Sequence, residues 1–353
     1  MMTELSQIIS QIEPVTSGWL DKAQERLDSL TKPQGSLGRL EELAARYVAI
    51  REELLPVLEK KWVVVFAADH GVVAEGVSAY PQDVTHQMVL NFLRGGAGIN
   101  ALARHAGAKV AVVDIGVNHD FGSLPDLIDR KVAFGSRNMA HEPAMTRDEA
   151  LKALLVGVEL AAQATTMGAD ALAAGDMGIG NTTAAAAMAA VFTGRPVGAV
   201  TGRGTGIEDR TLRHKVAVIN RALALHQPRA EDPVAALAAV GGLEIAGIAG
   251  FILGAAAARR PLLLDGFIAT AGALVAAALA PAVTDYLIAA HRSVEPGHQI
   301  VLDFLGLKPL LNFQMRLGEG TGAALGLTLL EAGVRIYREM ATFGEAGVAE
   351  KET

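Results

Sequence analysis

Trp62-Val63-Val64-Val65-Phe66-Ala67-Ala68-Asp69-His70-Gly71 decides the fold class. The first six residues are apolar without alternation. A strand of that kind is buried on both faces, which is the habit of a parallel sheet covered by helices on each side. It stops at Asp69-His70-Gly71, and the carboxyl end of a parallel strand is where open α/β sheets bind ligands. Working outward, the same pattern returns at Lys109–Ile115, at Asp170–Ala174 and at 262–264. Ala-rich segments of helical period lie between these strands. The alternation predicts an α/β fold built on a Rossmann-like, doubly wound parallel sheet. Residues 1–55 read as helices (Ile8, Ile9, Ile12; Leu20, Ala23, Leu27, Leu30), and a helix of apolar period follows residue 320. The two chain ends are therefore expected to form a smaller helical unit, with boundaries at 1–55, 56–310 and 311–353.

The bulk numbers exclude several function classes. The 353 residues are 51% hydrophobic and 20% charged, which suits a folded core. A net charge of −7 and no dense Lys/Arg run argue against a nucleic-acid surface. With no cysteine, disulfides, thiolate metal sites and a cysteine nucleophile are ruled out. The polar N-terminus does not read as a signal peptide, so a cytoplasmic protein is expected. Val240–Ala258 is apolar enough to need a membrane check. Its Glu244 would cost about 2–3 kcal/mol in a bilayer, so the segment is expected to be buried helix instead.

Three loops hold the candidate chemistry. Gly175-Asp176-Met177-Gly178-Ile179-Gly180-Asn181-Thr182-Thr183 runs from a strand into a helix with an Asn/Thr cap, a physical recipe for binding phosphate. It lacks the Gly-Lys-Ser/Thr ending of a Walker A loop. Thr201-Gly202-Arg203-Gly204-Thr205-Gly206 repeats the pattern, again read as following a short strand, with Lys215 downstream. Together they point to an anionic, nucleotide-like ligand. Met315-Arg316-Leu317-Gly318-Glu319-Gly320-Thr321-Gly322 places one carboxylate between glycines ahead of a helix that Thr321 can cap. An apolar wall of Met315 and Leu317 would raise the Glu319 pKa toward that of a useful base. Read alone, the stretch is equally a glycine turn with a solvated Glu. Two further loops, Thr31–Glu41 and Ser293–His298, are richer in special residues than plain connectors require.

No HExxH, G-x-S-x-G or GxGxxG motif occurs where it would be needed, which disfavours metal hydrolysis, serine acyl transfer and dinucleotide redox chemistry. No metal and no cofactor are expected. Transfer of a phosphoribosyl group onto a flat apolar acceptor fits what remains.

Lys32–Glu41, Ala68–Val72, Glu75–Thr85, Gly175–Thr183, Leu264-Asp265-Gly266-Phe267 and Met315–Ala324 together resemble the nicotinate-nucleotide–dimethylbenzimidazole phosphoribosyltransferases of cobalamin lower-ligand synthesis. These motifs span most of the chain in order. The resemblance implies nicotinate mononucleotide and 5,6-dimethylbenzimidazole as substrates, α-ribazole 5′-phosphate and nicotinate as products, and a homodimer whose N-terminal part reaches its neighbour. It implies Glu319 as the general base, and Tyr80, Met88 and Leu317 as lining of the benzimidazole pocket. Nucleotide and phosphate contacts fall on Asp176, Gly178, Gly180, Asn181, Thr182, Gly202, Arg203, Gly204 and Lys215, with Ser293, Gly318 and Gly320 beside them. Some members carry Glu where Asp176 stands, and smaller or polar residues at the positions of Tyr80 and Met88, so acceptor preference is open. Another acceptor base, adenine or a phenol, and a non-catalytic nucleotide-binding protein are the competing readings.

Overall fold

Six parallel strands lie in the order β3-β2-β1-β4-β5-β6 in the computed structural model, which describes residues 1–349. They are β1 (Lys61–Ala68), β2 (Ala108–Gly116), β3 (Leu127–Asp129), β4 (Ala171–Met177), β5 (Leu262–Leu264) and β6 (Leu287–Ala289). This is the doubly wound order, and its crevice opens where the winding reverses, between β1 and β4 at their carboxyl ends. β1 pairs with β2 from Lys61↔Ala108 and with β4 from Lys61↔Ala171. The four strands that the sequence places by residue number are present. β3 and β6 were not foreseen, because three residues are too few to set up a periodic signal.

Successive residues of a strand face opposite layers, and the two cores obey that rule. Val64, Phe66 and Ala68 of β1 face the larger cluster, with the helices Arg147–Thr166, Asn181–Thr193, Leu243–Ala257 and Phe267–Leu279. Val63, Val65 and Ala67 face the other, with the helices Arg39–Arg51, Val84–Leu93, Gly98–Ala106 and Thr321–Glu339. The helices of the two chain ends therefore cover one sheet face together. Outside them, Ala23, Leu27 and Leu30 pack on Ala44, Val48 and Tyr337 as a third, small cluster. The first helix, Met2–Ile9, departs from this arrangement, since its Leu5 joins the larger core. The last four residues of the expected 311–353 segment lie outside the described residues.

Leu243–Ala257 is buried through almost its whole length, and no described helix is long and apolar enough to cross a membrane. Its closest neighbour is Arg147–Thr166. The two run backbone against backbone, because a Cβ at Gly250 would sit 1.7 Å from the Leu154 carbonyl and one at Gly157 would sit 1.9 Å from that of Gly247. Glu244 is not a bare buried charge. Its Oε1 lies 2.7 Å from His70 Nε2, at the carboxyl end of β1.

Candidate active site

Backbone geometry at the carboxyl ends of β4 and β5 builds the site. β4 ends in Gly175-Asp176-Met177, and the loop around Glu319 crosses directly over it. A Cβ at Gly175 would meet the Glu319 carbonyl at 2.3 Å, so the crossing requires glycine there. Glu319 has φ 63° and Gly320 φ 92°, a left-handed pair in which the non-glycine residue is strained. The Glu319 amide donates to the Asp176 carbonyl at 3.2 Å. The Gly320 amide donates to Asp265 Oδ2 at 3.1 Å. Asp265 Oδ1 accepts from Gly322 and Ala323 at 2.7 and 3.1 Å.

These bonds correct one expectation. Thr321 does not cap its helix. Gly320 is the N-cap residue, the Thr321 hydroxyl donates back to the Gly318 carbonyl, and the free amides go to Asp265. Sequence reading could not find this, because Asp265 lies more than fifty residues away along the chain.

Glu319 itself is 5% exposed. Its Oε2 accepts from the Ile99 amide at 3.0 Å, at the start of the helix Gly98–Ala106. The helix end that faces this carboxylate is therefore not the one that follows it in sequence. The preceding run Gly95-Gly96-Ala97-Gly98 was the available signal. A Cβ at Gly98 would stand 2.8 Å from Leu317 Cδ2 and 3.2 Å from Glu319 Oε2. Leu317 is 61% exposed, so the cover over Glu319 comes from Gly98 and Ile99 and not from the expected wall of Met315 and Leu317 alone. Burial pushes the Glu319 carboxyl above its ordinary value; the Ile99 amide opposes this and the Asp265 carboxylate adds to it. Asp176 is held well above its ordinary range by burial, reinforced by Asp265 and Glu244, so it carries a proton more readily than a surface aspartate.

A cleft of about 350 Å³ opens beside this loop. Asp176, Gly178, Gly180, Asn181 and Thr182 line it from the first glycine loop, and Arg203, Gly204 and Lys215 from the second. Tyr80, Ser293, Leu317 and Gly318 complete the expected residues on its wall. Four expected residues do not line it. Gly202 presents its carbonyl to Lys215 Nζ at 3.4 Å, and Gly320 packs against Val63 and Gly175. Met88 packs with the core of the Glu319 face, and Glu319 lies just beyond Gly318. A larger cleft of about 830 Å³ lies between the N-terminal helices and residues 284–308, away from both glycine loops.

The second glycine loop does not follow a strand, as expected, but a single helical turn, Val197–Val200. It is held from three sides. Lys215 Nζ donates to the Gly202 carbonyl at 3.4 Å and ties it to Thr182 Oγ1 of the first loop at 2.7 Å, Glu295 Oε1 accepts from the Gly204 amide at 2.8 Å, and Arg316 donates to the Gly204 carbonyl at 2.9 Å. Burial lowers Lys215 to about 8, with Glu295 opposing, so the amine stays cationic near neutrality. Neither glycine loop has the expected side-chain cap; Gly180, φ 94°, is the N-cap of Asn181–Thr193, and Asn181 instead donates to Asp176 Oδ2 at 2.9 Å. Asp176 Oδ1 and Glu295 Oε2 are buried on the cleft wall without a hydrogen-bond partner. Such atoms call for a hydrogen-bond partner from a ligand. Glu295, within the Ser293–His298 loop that the sequence marks as special, and His291, which sequence reading did not single out, are also wall residues. Of the other loops, Lys32 and Glu41 form a buried ion pair at 2.8 Å.

Comparison with known proteins places this site in context. The phosphoribosyltransferase family model matches residues 12–348. The chain is 62% identical over 349 residues to the nicotinate-nucleotide–dimethylbenzimidazole phosphoribosyltransferase of Geobacter sulfurreducens, covering 99% of each. It is 58% identical over 351 residues to the protein of that name from Chloroflexus aggregans, again covering 99% of each. The crystal structure of CobT from Thermus thermophilus superposes with a TM-score of 0.91 at 53% identity, covering 95% of this chain and 100% of that one.

Proposed function

The chain belongs to the nicotinate-nucleotide–dimethylbenzimidazole phosphoribosyltransferase family, and from that premise we propose how its cleft performs the reaction. The enzyme moves the 5-phosphoribosyl group of nicotinate mononucleotide to 5,6-dimethylbenzimidazole, giving α-ribazole 5′-phosphate and nicotinate. The nicotinate nitrogen is a cationic pyridinium in the nucleotide and leaves as a neutral pyridine nitrogen, so it needs no proton. The acceptor's bare nitrogen attacks C1′ from the face opposite nicotinate, which turns the β-linkage into α. Its other nitrogen must then shed a proton. One base is enough, in contrast to the carboxylate pair of glycosidases.

Glu319 is that base. The observation that supports it is a buried carboxylate with Oε2 anchored on the Ile99 amide, leaving Oε1 to take the proton. Burial raises its pKa, which strengthens it as a base near neutrality. Lys215, with the loops 178–182 and 202–204, takes the phosphate. Asp176, whose burial favours its protonated form, donates to the nucleotide, and Ser293 and Gly318 sit beside the ribose. Tyr80, Leu317 and Met88 border the acceptor in this reading. The acceptor enters next to Gly318, close to Glu319.

The enzyme is taken to work as a homodimer in the cytoplasm on these small molecules, without nucleic acid. Its apolar Leu54, Leu55 and Val57 stand exposed, as a face awaiting a second copy would. The net charge of −7 makes a nucleic-acid surface unfavourable. Presenting the enzyme with nicotinate mononucleotide and an equimolar mixture of dimethylbenzimidazole, adenine and a phenol tests the acceptor. The reading expects the α-linked benzimidazole product to dominate. A dominant adenine or phenol product would overturn the acceptor assignment, and nucleotide binding without nicotinate release would overturn the reaction.

A further inference from the structure

Glu319 is an L-residue at φ 63°, followed by a glycine at φ 92°. An isolated chain avoids that pair, because the left-handed region crowds Cβ against the carbonyl. Something must hold it. Both peptide planes that flank Glu319 are hydrogen-bonded to the strand ends beneath. The plane before it donates to the Asp176 carbonyl of β4 at 3.2 Å. The plane after it, through the Gly320 amide, donates to Asp265 Oδ2 at 3.1 Å. The other oxygen of the same carboxylate takes the Gly322 and Ala323 amides at 2.7 and 3.1 Å. Thus one side chain, 1% exposed and standing where β5 ends, fixes both the turn that presents Glu319 and the helix that follows.

We propose that Asp265 is the positioning residue of the reaction: its carboxylate clamps the Glu319–Gly320 peptide so that Glu319 stays in its left-handed conformation, with Oε2 on the Ile99 amide. The inference rests on Glu319 being the base. The Asp265 clamp also acts through space. Its charge disfavours the ionised form of Glu319 and so keeps that carboxyl high. The other ionisable groups facing this pair are Asp176 from β4 and His291, whose Nε2 lies 3.7 Å from Asp265 Oδ1. Gly322 belongs to the same packing, since a Cβ there would meet the His291 ring at 2.0 Å.

Asp265→Asn keeps the shape, loses the charge and sets an NH2 against amide donors. Measured beside Glu319→Gln, it separates this inference from the one it rests on. The expected result is a kcat at least tenfold lower in Asp265→Asn, a KM for nicotinate mononucleotide within about twofold of the parent, and an acid limb of kcat/KM moved to lower pH. A cap that served stability alone would not move that limb. A twofold or smaller change in kcat with the limb in place, while Glu319→Gln is inactive, overturns the positioning role and leaves the base intact. An active Glu319→Gln overturns the base. Should Asp265→Asn not fold, Asp265→Glu decides: it keeps the charge and hence the limb, but its longer side chain displaces the amides and kcat must fall. A parental kcat in that variant contradicts the clamp.

Discussion

Glu319 sits at 5% exposure, bonded to the Ile99 amide and lifted above its ordinary carboxyl value of 4.5 by burial. A base must be deprotonated to work, so lowering the pH through this raised pKa removes activity. The kcat/KM profile is therefore expected to have its acid half-point above 4.5, and a half-point at or below 4.5 would contradict the burial argument. At this scale the sequence was informative where the chemistry is local. Glu319 between two glycines, the loops 175–183 and 201–206, and Lys215 could all be read from adjacent residues. The contacts made by the Ile99 amide, Asp265 and Glu295 could not, because their partners lie far off along the chain and only the fold brings them together.

Elements place these residues through close backbone approach. The crossing of β4 under the Glu319 loop depends on Gly175, whose added Cβ would stand 2.3 Å from the Glu319 carbonyl. Gly175→Ala is expected to push that loop away and cut kcat tenfold or more while most of the protein's stability remains. An unchanged kcat would show that the crossing has room to spare. Gly250→Ala makes the opposite test. It forces apart Arg147–Thr166 and Leu243–Ala257, remote from the cleft, and is expected to cost about 1–3 kcal/mol in a denaturant titration with little change in KM. Long elements were legible because their periodicity is sustained, as in Lys61–Ala68 and Arg147–Thr166. Val197–Val200, a helical turn where a strand was expected, and the three-residue β3 and β6 were not, since so few residues fix no period.

The whole molecule is stabilised by burying both sheet faces, and one buried charge pair lies under the cleft. Burial alone would lower the pKa of His70, but the Glu244 carboxylate at 2.7 Å outweighs it and the net value is raised above 6.5. A raised histidine contributes its full stabilisation below the unfolded value near 6.5 and loses it as pH rises through the folded value. Removing one partner of such a buried pair costs about 3–5 kcal/mol. Glu244→Ala is thus expected to lower Tm most at pH 6, with a gap to the parent that narrows as pH rises above 6.5. A gap independent of pH would contradict the pairing. The doubly wound sheet was evident from the apolar strands, whereas the joining of Leu5 to the large core was not, because Met2–Ile9 has a helical pattern that suits either layer. Sedimentation is expected to give twice the 36.7 kDa of the chain; a particle of single mass would remove the homodimer.

The central claim is that Glu319 supplies the base for phosphoribosyl transfer, and its most direct test is a comparison of the parent with Glu319→Gln. Both would be incubated with nicotinate mononucleotide and 5,6-dimethylbenzimidazole, with nicotinate and α-ribazole 5′-phosphate followed by chromatography. The account predicts equimolar formation of the two products by the parent and a rate about 10²–10⁴-fold lower in a folded, nucleotide-binding Glu319→Gln. Turnover by that variant close to the parent rate would contradict it.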